Sequence, residues 1–265
     1  MNNNQCHPDK ILIFDIMGRN AHFRKFYTNS SSLSYLVPPR TVIAGLIAGL
    51  LGLPSERFTN DEKEIYYEKF NSEKCFIAVS LKTQIRKMMQ TVNYCFTKTQ
   101  NKEISFSKHS QIPLEILTAQ NEEELRYRVY FSFIQDEYKT KFEKGIELIK
   151  NNRFVYPPYL GLSEFIASIN FIDEGIISSV DQPEKLHSIC KLDHIKDFNV
   201  ENEVKYLTER MPTGFKNKRT PLAPADYLIQ VNGKPICATY KEDALLYKVE
   251  YIENGETVSE NISPM

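Results

Sequence analysis

The segment RTVIAGLIAGLLG, residues 40–52, places the strongest constraint on how this chain of 265 residues can fold. Two prolines precede it and can open a helix, because the first helical residues need no donated N–H, and Gly52 and Pro54 then end the helix. The predicted helix is apolar on nearly every side, so we expect it to be buried. Its glycine spacing allows close packing on a sheet, and its apolar run of residues 42–53 is too short to span a bilayer.

Strand patterns flank this helix in the sequence. KILIFDI, residues 10–16, has the density of apolar side chains of a buried strand, KCFIAVS begins another at residue 74, and RYRVYFSF alternates over residues 126–133. Between the last two, the sequence predicts a long basic hairpin over about residues 84–115, with its turn near residues 100–103. Further helices are predicted near residues 60–70 and 138–152, and further strands near residues 154–180 and 227–252.

This order of elements predicts an α+β fold. We expect a ferredoxin-like domain over residues 1–180, with the basic hairpin as a thumb-like insertion. Residues 181–265 are predicted to form a β-rich C-terminal extension packed on that domain.

Charge is distributed unevenly, although the formal net charge is only −1. Residues 16–55 contain no carboxylate, residues 80–111 contain only Glu103, and residues 204–220 contain only Glu209. Three basic segments in an otherwise acidic chain indicate a specific polyanion site, although each could also be a solvated surface. Their basic residues are Arg19, Arg24, Lys25 and Arg40, then Lys82, Arg86, Lys87, Lys98, Lys102 and Lys108, then Lys205, Arg210, Lys216, Lys218 and Arg219. The N-terminus of the apolar helix, directly after the first basic segment, is a natural place for a phosphate.

Cysteine usage and the N-terminal residues indicate a cellular compartment. The five cysteines are scattered and include no CxxC pair, which favours reduced structural thiols over disulfides or a zinc site. The first ten residues lack the apolar run of a signal peptide. We therefore expect a cytoplasmic protein without cofactor, metal or membrane contact.

Catalytic motifs are missing from the sequence. It contains no dinucleotide-binding or Walker loop and no HExxH, and GLSEF at residues 161–165 lacks the second glycine of a nucleophile elbow. Among the five histidines, His22 and His109 lie within basic segments, where either could act as an acid or base in metal-free RNA cleavage. Nothing in the sequence requires an enzyme.

The run FDIMGRNAHFRKFYTNSSSLSYLVPPRTVIAGLIAGLLG, residues 14–52, closely resembles the N-terminal signature of the CRISPR-associated Cas-five family, in the form found in type I-B Cascade complexes. Three later blocks resemble the family in the expected order, namely HSQIPLEIL at 109–117, YPPYLGLSEFIA at 156–167 and ERMPTGF at 209–215. Together they cover about a quarter of the chain.

The resemblance implies a repeat-associated mysterious protein (RAMP) fold, related to the RNA-recognition motif. It also implies an RNA-binding subunit that caps the 5′ handle of the CRISPR RNA, contacts the backbone and large subunits, and meets target DNA only indirectly. In this interpretation Arg19, Arg24, Lys25 and Arg40 hold phosphates, and His22, Phe23, Tyr27 and Tyr35 are candidate stacking platforms. Phe23 and Phe26 are the aromatic residues expected to cover the core instead. The hairpin would grip RNA or a neighbouring subunit through Arg86, Lys87 and Lys108, and His109 completes the predicted RNA-binding set.

Two alternatives stay open. A type I-C branch of the same family cuts the repeat itself, and His22, Lys25 and Tyr27 would be the nearest candidates for such a metal-independent endoribonuclease. Alternatively, apolar segments such as YPPYLGL serve protein contacts and the chain has no direct role with RNA. Because the resemblance is to type I-B, we expect no catalysis.

Overall fold

The computed structural model describes residues 8–29, 31–98, 103–134, 138–198 and 204–265. Its helices are α1 (Arg40–Leu51), α2 (Tyr66–Lys69) and α3 (Lys139–Lys150). The strands of the main sheet and of the hairpin are β1 (Lys10–Gly18), β4 (Cys75–Leu81), β5 (Ile85–Lys98), β6 (Glu103–Ala119), β7 (Leu125–Phe133), β8 (Ser168–Ser179), β16 (Tyr247–Glu253) and β17 (Glu256–Ile262). The remaining strands are β2 (Phe23–Arg24), β3 (Ser34–Tyr35), β9 (Cys190–Lys191), β10 (Ile195–Phe198), β11 (Tyr206–Met211), β12 (Phe215–Lys216), β13 (Thr220–Pro221), β14 (Ala225–Gln230) and β15 (Ala238–Tyr240).

The fold is mixed and rich in strands. Within the described ranges, six strands form an antiparallel sheet in the order β17, β16, β8, β1, β7, β4. The strands predicted at 10–16, 74 onward and 126–133 are confirmed, as are the helices predicted at 40–52 and 138–152. The acidic helix predicted near 60–70 is wrong in length, because only single turns form at Glu62–Glu64 and Tyr66–Lys69.

Helix α1 is buried on the sheet, as its composition predicts. Ile43 and Ile47 are fully buried in one apolar cluster with Leu12, Phe14 and Ile16, which project from alternate positions of β1. The helix ends at Gly52, whose φ of 69° lies in the left-handed region and lets its N–H return to the carbonyl groups of the last turn. In the part of the chain that the structure describes, no helix is long and apolar enough to cross a membrane.

The second face of the sheet is covered by side chains from other strands of the same sheet. Ile11 and Ile13 pack there with Val249 of β16 and Ile262 of β17 in a second apolar cluster. Although β17 lies at one edge of the sheet, its Glu260 accepts hydrogen bonds from Lys82, which follows the opposite edge strand β4, and from Tyr130 of the neighbouring strand β7. The sheet therefore coils strongly, so that its two edges approach each other.

The C-terminal strands divide between two environments. β16 and β17 extend the main sheet, whereas β9 to β15 form small separate sheets. Strands β9 to β17 all lie within residues 181–265. The domain boundary at residue 180 stays a prediction. The last two strands, β16 and β17, lie in the same sheet as the strands of the predicted first domain.

A long hairpin extends from this body, as the sequence predicts. β5 and β6 pair from Ile85↔Ala119 to Lys98↔Glu103, with an irregularity after Cys95. The predicted turn lies outside the described residues except for Glu103. The side chains of β5 from Arg86 to Cys95 are exposed or half-exposed, so both faces of the hairpin meet solvent there.

Candidate nucleic-acid interface

The segment between β1 and α1, residues 19–39 and here called the basic loop, is attached to the base of the hairpin. Ala21 and Leu117 exchange backbone hydrogen bonds of 3.0 and 2.9 Å. Ser32 donates its N–H to the Pro113 carbonyl at 2.8 Å and accepts from the Glu115 N–H at 2.9 Å. The first two basic segments of the sequence therefore meet in the fold.

Glu115 fixes the loop from the hairpin side. Its carboxylate oxygen Oε2 accepts the Ser34 N–H at 2.8 Å and lies 3.3 Å from the Lys87 ammonium. Lys87 is 35% exposed, so it faces solvent while sharing its charge with Glu115. Its availability to a phosphate is therefore reduced.

Glu209 fixes the loop from the opposite side and brings in the third basic segment. Its side chain is 1% exposed, its Oε2 accepts the Leu36 N–H at 2.8 Å, and its Oε1 lies 2.8 Å from the Lys25 ammonium. Burial alone would lower the pKa of Lys25, but the hydrogen bond and charge of Glu209 outweigh burial and raise that pKa above its ordinary value. Lys25 is thus committed to an internal ion pair.

His22 lies inside the loop, and the structure corrects its predicted role. It is 2% exposed, its Nδ1–H donates to the Glu115 carbonyl at 2.7 Å, and its Nε2 accepts from the Ser32 hydroxyl at 2.9 Å. Burial is the main reason that its pKa is lowered. Both ring nitrogens are thus engaged inside the protein, and His22 presents almost no surface to a base or to a substrate proton in this structure.

Arg40 and Tyr35 were also predicted to touch RNA, and the structure places both in the interior. Arg40 is 2% exposed and its Nη2 donates to the carbonyls of Phe70 and Cys75, each at 2.9 Å. Tyr35 is 1% exposed and donates its hydroxyl to the Arg210 carbonyl at 2.9 Å, and burial raises its pKa to about 12. Pro38 and Pro39 are also buried beside Arg40, which disfavours the predicted phosphate site at the N-terminus of α1.

Four side chains of the basic loop do reach solvent. Arg19 and Arg24 are exposed, and Phe26 and Tyr27 are 58% and 52% exposed. The two rings contact edge to face, with centroids 5.2 Å apart, and Arg24 donates a long 3.4 Å hydrogen bond to the Thr28 carbonyl. The prediction that Phe23 covers the core is confirmed by its 2% exposure, whereas the same prediction for Phe26 is wrong.

The hairpin adds cations on both of its faces. Arg86 and His109 are exposed. By strand register, Lys87 and His109 share one face and Arg86 points to the other. The side chain of Lys108 lies outside the described part of the hairpin.

Sequence reasoning missed Glu115, Glu209 and Phe26. Glu209 carried a signal, since it is the single acid within residues 204–220. A lone carboxylate among several bases favours an internal ion pair over a solvated position. No comparable signal separates Phe26 from Phe23.

The third basic segment also reaches the surface, at Arg210, Lys216, Lys218 and Arg219. Arg210 lies 3.3 Å from Asp226, and Arg219 lies 3.5 Å from Glu56. Within the described residues, no group of three His, Cys, Asp or Glu side chains is arranged to hold a metal ion. Cys75, Cys95, Cys190 and Cys237 are free thiols as predicted, and Cys6 lies outside the described residues.

Solved structures include chains that are similar to this one. No protein-family model and no curated protein matches the chain. Among solved structures, it is similar to a CRISPR protein from Archaeoglobus fulgidus, with a TM-score of 0.52 and 14% identity over 96% of this chain and 100% of that chain. A chain of a CRISPR RNA-guided surveillance complex gives a TM-score of 0.43 at 10% identity, covering 85% of this chain and 91% of that one, which is too distant to establish a shared fold. The first likeness establishes the fold, and the chain has the fold of a CRISPR-associated protein.

Proposed function

We propose that this protein is a non-catalytic RNA-binding subunit of a type I CRISPR surveillance complex, or Cascade, acting in antiviral defence in the cytoplasm. In this role it caps the 5′ handle of the CRISPR RNA and joins the backbone and large subunits. The resemblance of residues 14–52 to the Cas-five signature supports this proposal, and so does the shared fold.

The observation that carries the proposal is the exposure of Arg19, Arg24, Phe26 and Tyr27 on the basic loop. Exposed guanidinium groups pair with phosphates, and exposed rings stack on unpaired bases, which are two of the contacts that single-stranded RNA offers. The loop beneath them is held by partly buried Glu115 and fully buried Glu209, so these side chains are presented on a fixed backbone. A fixed platform loses less conformational entropy when RNA binds.

We interpret the central four strands as a ferredoxin-like core. In chain order the elements β1, α1, β4, β7, α3 and β8 form a β-α-β-β-α-β unit, and these strands lie in the spatial order β8, β1, β7, β4. The hairpin of β5 and β6 then corresponds to a thumb-like insertion between the second and third strands of the core.

We propose no catalytic role, and the environment of His22 supports this choice. A general base has to reach the proton that it removes, and His22 is enclosed by Ser32 and the Glu115 carbonyl. The protein partners in the complex would require apolar contact surface. Tyr156, Tyr159 and Ile166 are 57%, 49% and 74% exposed, and we assign the surface they form to such contacts.

Fluorescence anisotropy with single-stranded RNA from the CRISPR repeat tests this function. We expect wild-type protein to bind with an affinity that falls as salt rises, and a variant with Arg19→Ala and Arg24→Ala to bind far more weakly. The matched control is Lys144→Ala with Arg153→Ala, which removes the same charge from exposed positions elsewhere. Equal loss in both variants, or no binding by the wild type, would overturn the proposed function.

A further inference from the structure

A short hairpin formed by β12 and β13, residues 215–221 and here called the C-terminal tip, presents a second group of cations. Phe215 pairs with Pro221 and Lys216 pairs with Thr220. The side chains of Lys216, Lys218 and Arg219 are exposed. Neither Lys216 nor Lys218 forms an ion pair with any residue that the structure describes.

The backbone of the tip is strained at two of these cations. Lys218 and Arg219 have φ values of 57° and 55°, in the left-handed region that disfavours residues with a Cβ atom. Glycine or asparagine is the usual occupant of such positions. Lysine at position 218 and arginine at position 219 are poor fits to the backbone. Their presence therefore indicates that the charged side chains are needed there.

Neighbouring groups keep the tip in this conformation. The Arg219 N–H donates to the Tyr67 hydroxyl at 3.3 Å, and its guanidinium lies 5.4 Å from the centroid of the Phe215 ring. The same guanidinium lies 3.5 Å from Glu56. Arg219 is thus used to fix the tip, which leaves Lys216 and Lys218 as its free charges.

The tip is connected to the basic loop through β11. Glu209 and Arg210 of β11 hold the loop at Leu36 and Tyr35, and the chain reaches Lys216 six residues after Arg210. Six residues span at most about 20 Å. The tip therefore lies within about 20 Å of Arg210, whose carbonyl holds the Tyr35 hydroxyl at the end of the basic loop.

We propose that the C-terminal tip is a second phosphate-binding site for the RNA strand that occupies the basic loop. This inference rests on the proposed function. Lys216 and Lys218 are compact point charges without a paired carboxylate, and such charges suit a phosphodiester backbone that is bound without base readout. An acidic protein segment is the competing occupant, and it would leave RNA affinity independent of the tip.

The test compares RNAs of two lengths, about four and about sixteen nucleotides, which bracket the site sizes of single-strand binders. We expect Lys216→Ala with Lys218→Ala to leave the short RNA unaffected and to weaken binding of the long one. For the long RNA, the slope of log affinity against log salt should fall by about 1.4, because each lost phosphate contact on a single strand contributes about 0.7. The control, Lys144→Ala with Lys241→Ala, removes the same charge from exposed positions on α3 and after β15 and should leave the slope unchanged.

The possible results separate the two proposals. If the long RNA binds the tip variant with wild-type affinity and slope while Arg19→Ala with Arg24→Ala abolishes binding, the tip site is wrong and the loop site stands. If wild-type protein binds neither RNA, both proposals fail. Thermal unfolding of each variant verifies that the folded state is retained.

Discussion

The ammonium of Lys25 lies 2.8 Å from Oε1 of Glu209, a residue 184 positions later in the sequence that is almost wholly buried. The other oxygen of the same carboxylate accepts the Leu36 N–H. One buried acid thus joins Lys25 and Leu36 of the basic loop to β11. This arrangement explains why a loop rich in polar and basic residues has a defined conformation.

Glu209→Ala should lower the free energy of unfolding by about 3 kcal/mol, because it leaves a largely buried ammonium and a backbone N–H without an acceptor. Glu209→Gln should cost less, since its amide oxygen can still accept from Leu36. Urea unfolding measures both. Adding Lys25→Met to Glu209→Gln should restore part of the loss, and a double variant no more stable than Glu209→Gln alone would argue against the ion pair.

Arg40 and Arg24 should show opposite phenotypes. Arg40→Met removes the donors to two buried carbonyls, so we expect a loss of about 2 kcal/mol in stability with unchanged RNA affinity of the folded protein. Arg24→Ala should leave stability within about 0.5 kcal/mol and weaken RNA binding. Urea unfolding and anisotropy on both variants test this, and weaker RNA binding by folded Arg40→Met would restore Arg40 to the binding site.

The aromatic residues of the loop should also differ in phenotype, some affecting RNA binding and others affecting stability. Phe26→Ala and Tyr27→Ala should each weaken RNA binding by about 1–3 kcal/mol if each ring stacks on one base. Phe23→Ala should instead lower stability by about 3 kcal/mol, because the ring is buried against Tyr127 with centroids 5.8 Å apart. Paired anisotropy and unfolding measurements distinguish these outcomes, and wild-type affinity in both exposed-ring variants would exclude stacking.

Stability should fall as the solution is acidified below the ordinary histidine pKa of 6.5. Burial lowers the pKa of His22, His187 and His194 in the folded chain, so the unfolded chain binds these protons at higher pH. Stability is therefore complete above pH 6.5 and is lost as pH falls toward the folded-state values. Unfolding measured from about pH 7.5 to about pH 5 should show this slope.

The contribution of His22 can be isolated with His22→Asn, which keeps a donor for the Glu115 carbonyl and cannot be protonated. We expect it to reduce the slope by up to about 1.4 kcal/mol per pH unit. His109→Asn, at an exposed position, is the control. An unchanged slope in His22→Asn would mean that His22 is protonated equally in both states.

Lys218→Gly should stabilise the protein while weakening its binding to long RNA. Glycine accepts the φ of 57° at little cost, so we expect about 1 kcal/mol of added stability. Lys216→Gly is the matched control, because it removes the same charge without relieving strain. Lower stability in Lys218→Gly would show that the left-handed turn is not strained.

Local patterns in the sequence predicted the helices and strands that are determined mainly by residues close to them in the chain. The apolar helix at residues 40–52, the strand at 10–16 and the basic hairpin follow from periodicity and from proline and glycine positions. The coiling of the sheet did not follow, since it depends on contacts such as Glu260 with Tyr130, which are 130 residues apart.

The candidate site was predicted less completely than the fold. Composition located the basic loop, and Arg19, Arg24 and Tyr27 of the predicted set are exposed there, while their contact with RNA stays a prediction. It could not separate exposed Arg24 from buried Arg40, because burial of an arginine depends on which distant carbonyls face it. The partners Glu115 and Glu209 come from later strands, so only the three-dimensional structure reveals that Lys25 and Lys87 are already paired.

The central claim is that the exposed side chains of the basic loop hold the 5′ end of a CRISPR RNA. The most direct measurement is to express the tagged chain together with its neighbouring genes, purify it at moderate salt, and sequence the 5′ ends of the RNA that copurifies. We predict one uniform, short, repeat-derived 5′ end, lost when Arg19, Arg24 and Tyr27 are changed to alanine and retained in Lys144→Ala with Arg153→Ala. Heterogeneous 5′ ends, or no RNA in a preparation that still contains its protein partners, would contradict the claim and assign the loop to a protein contact.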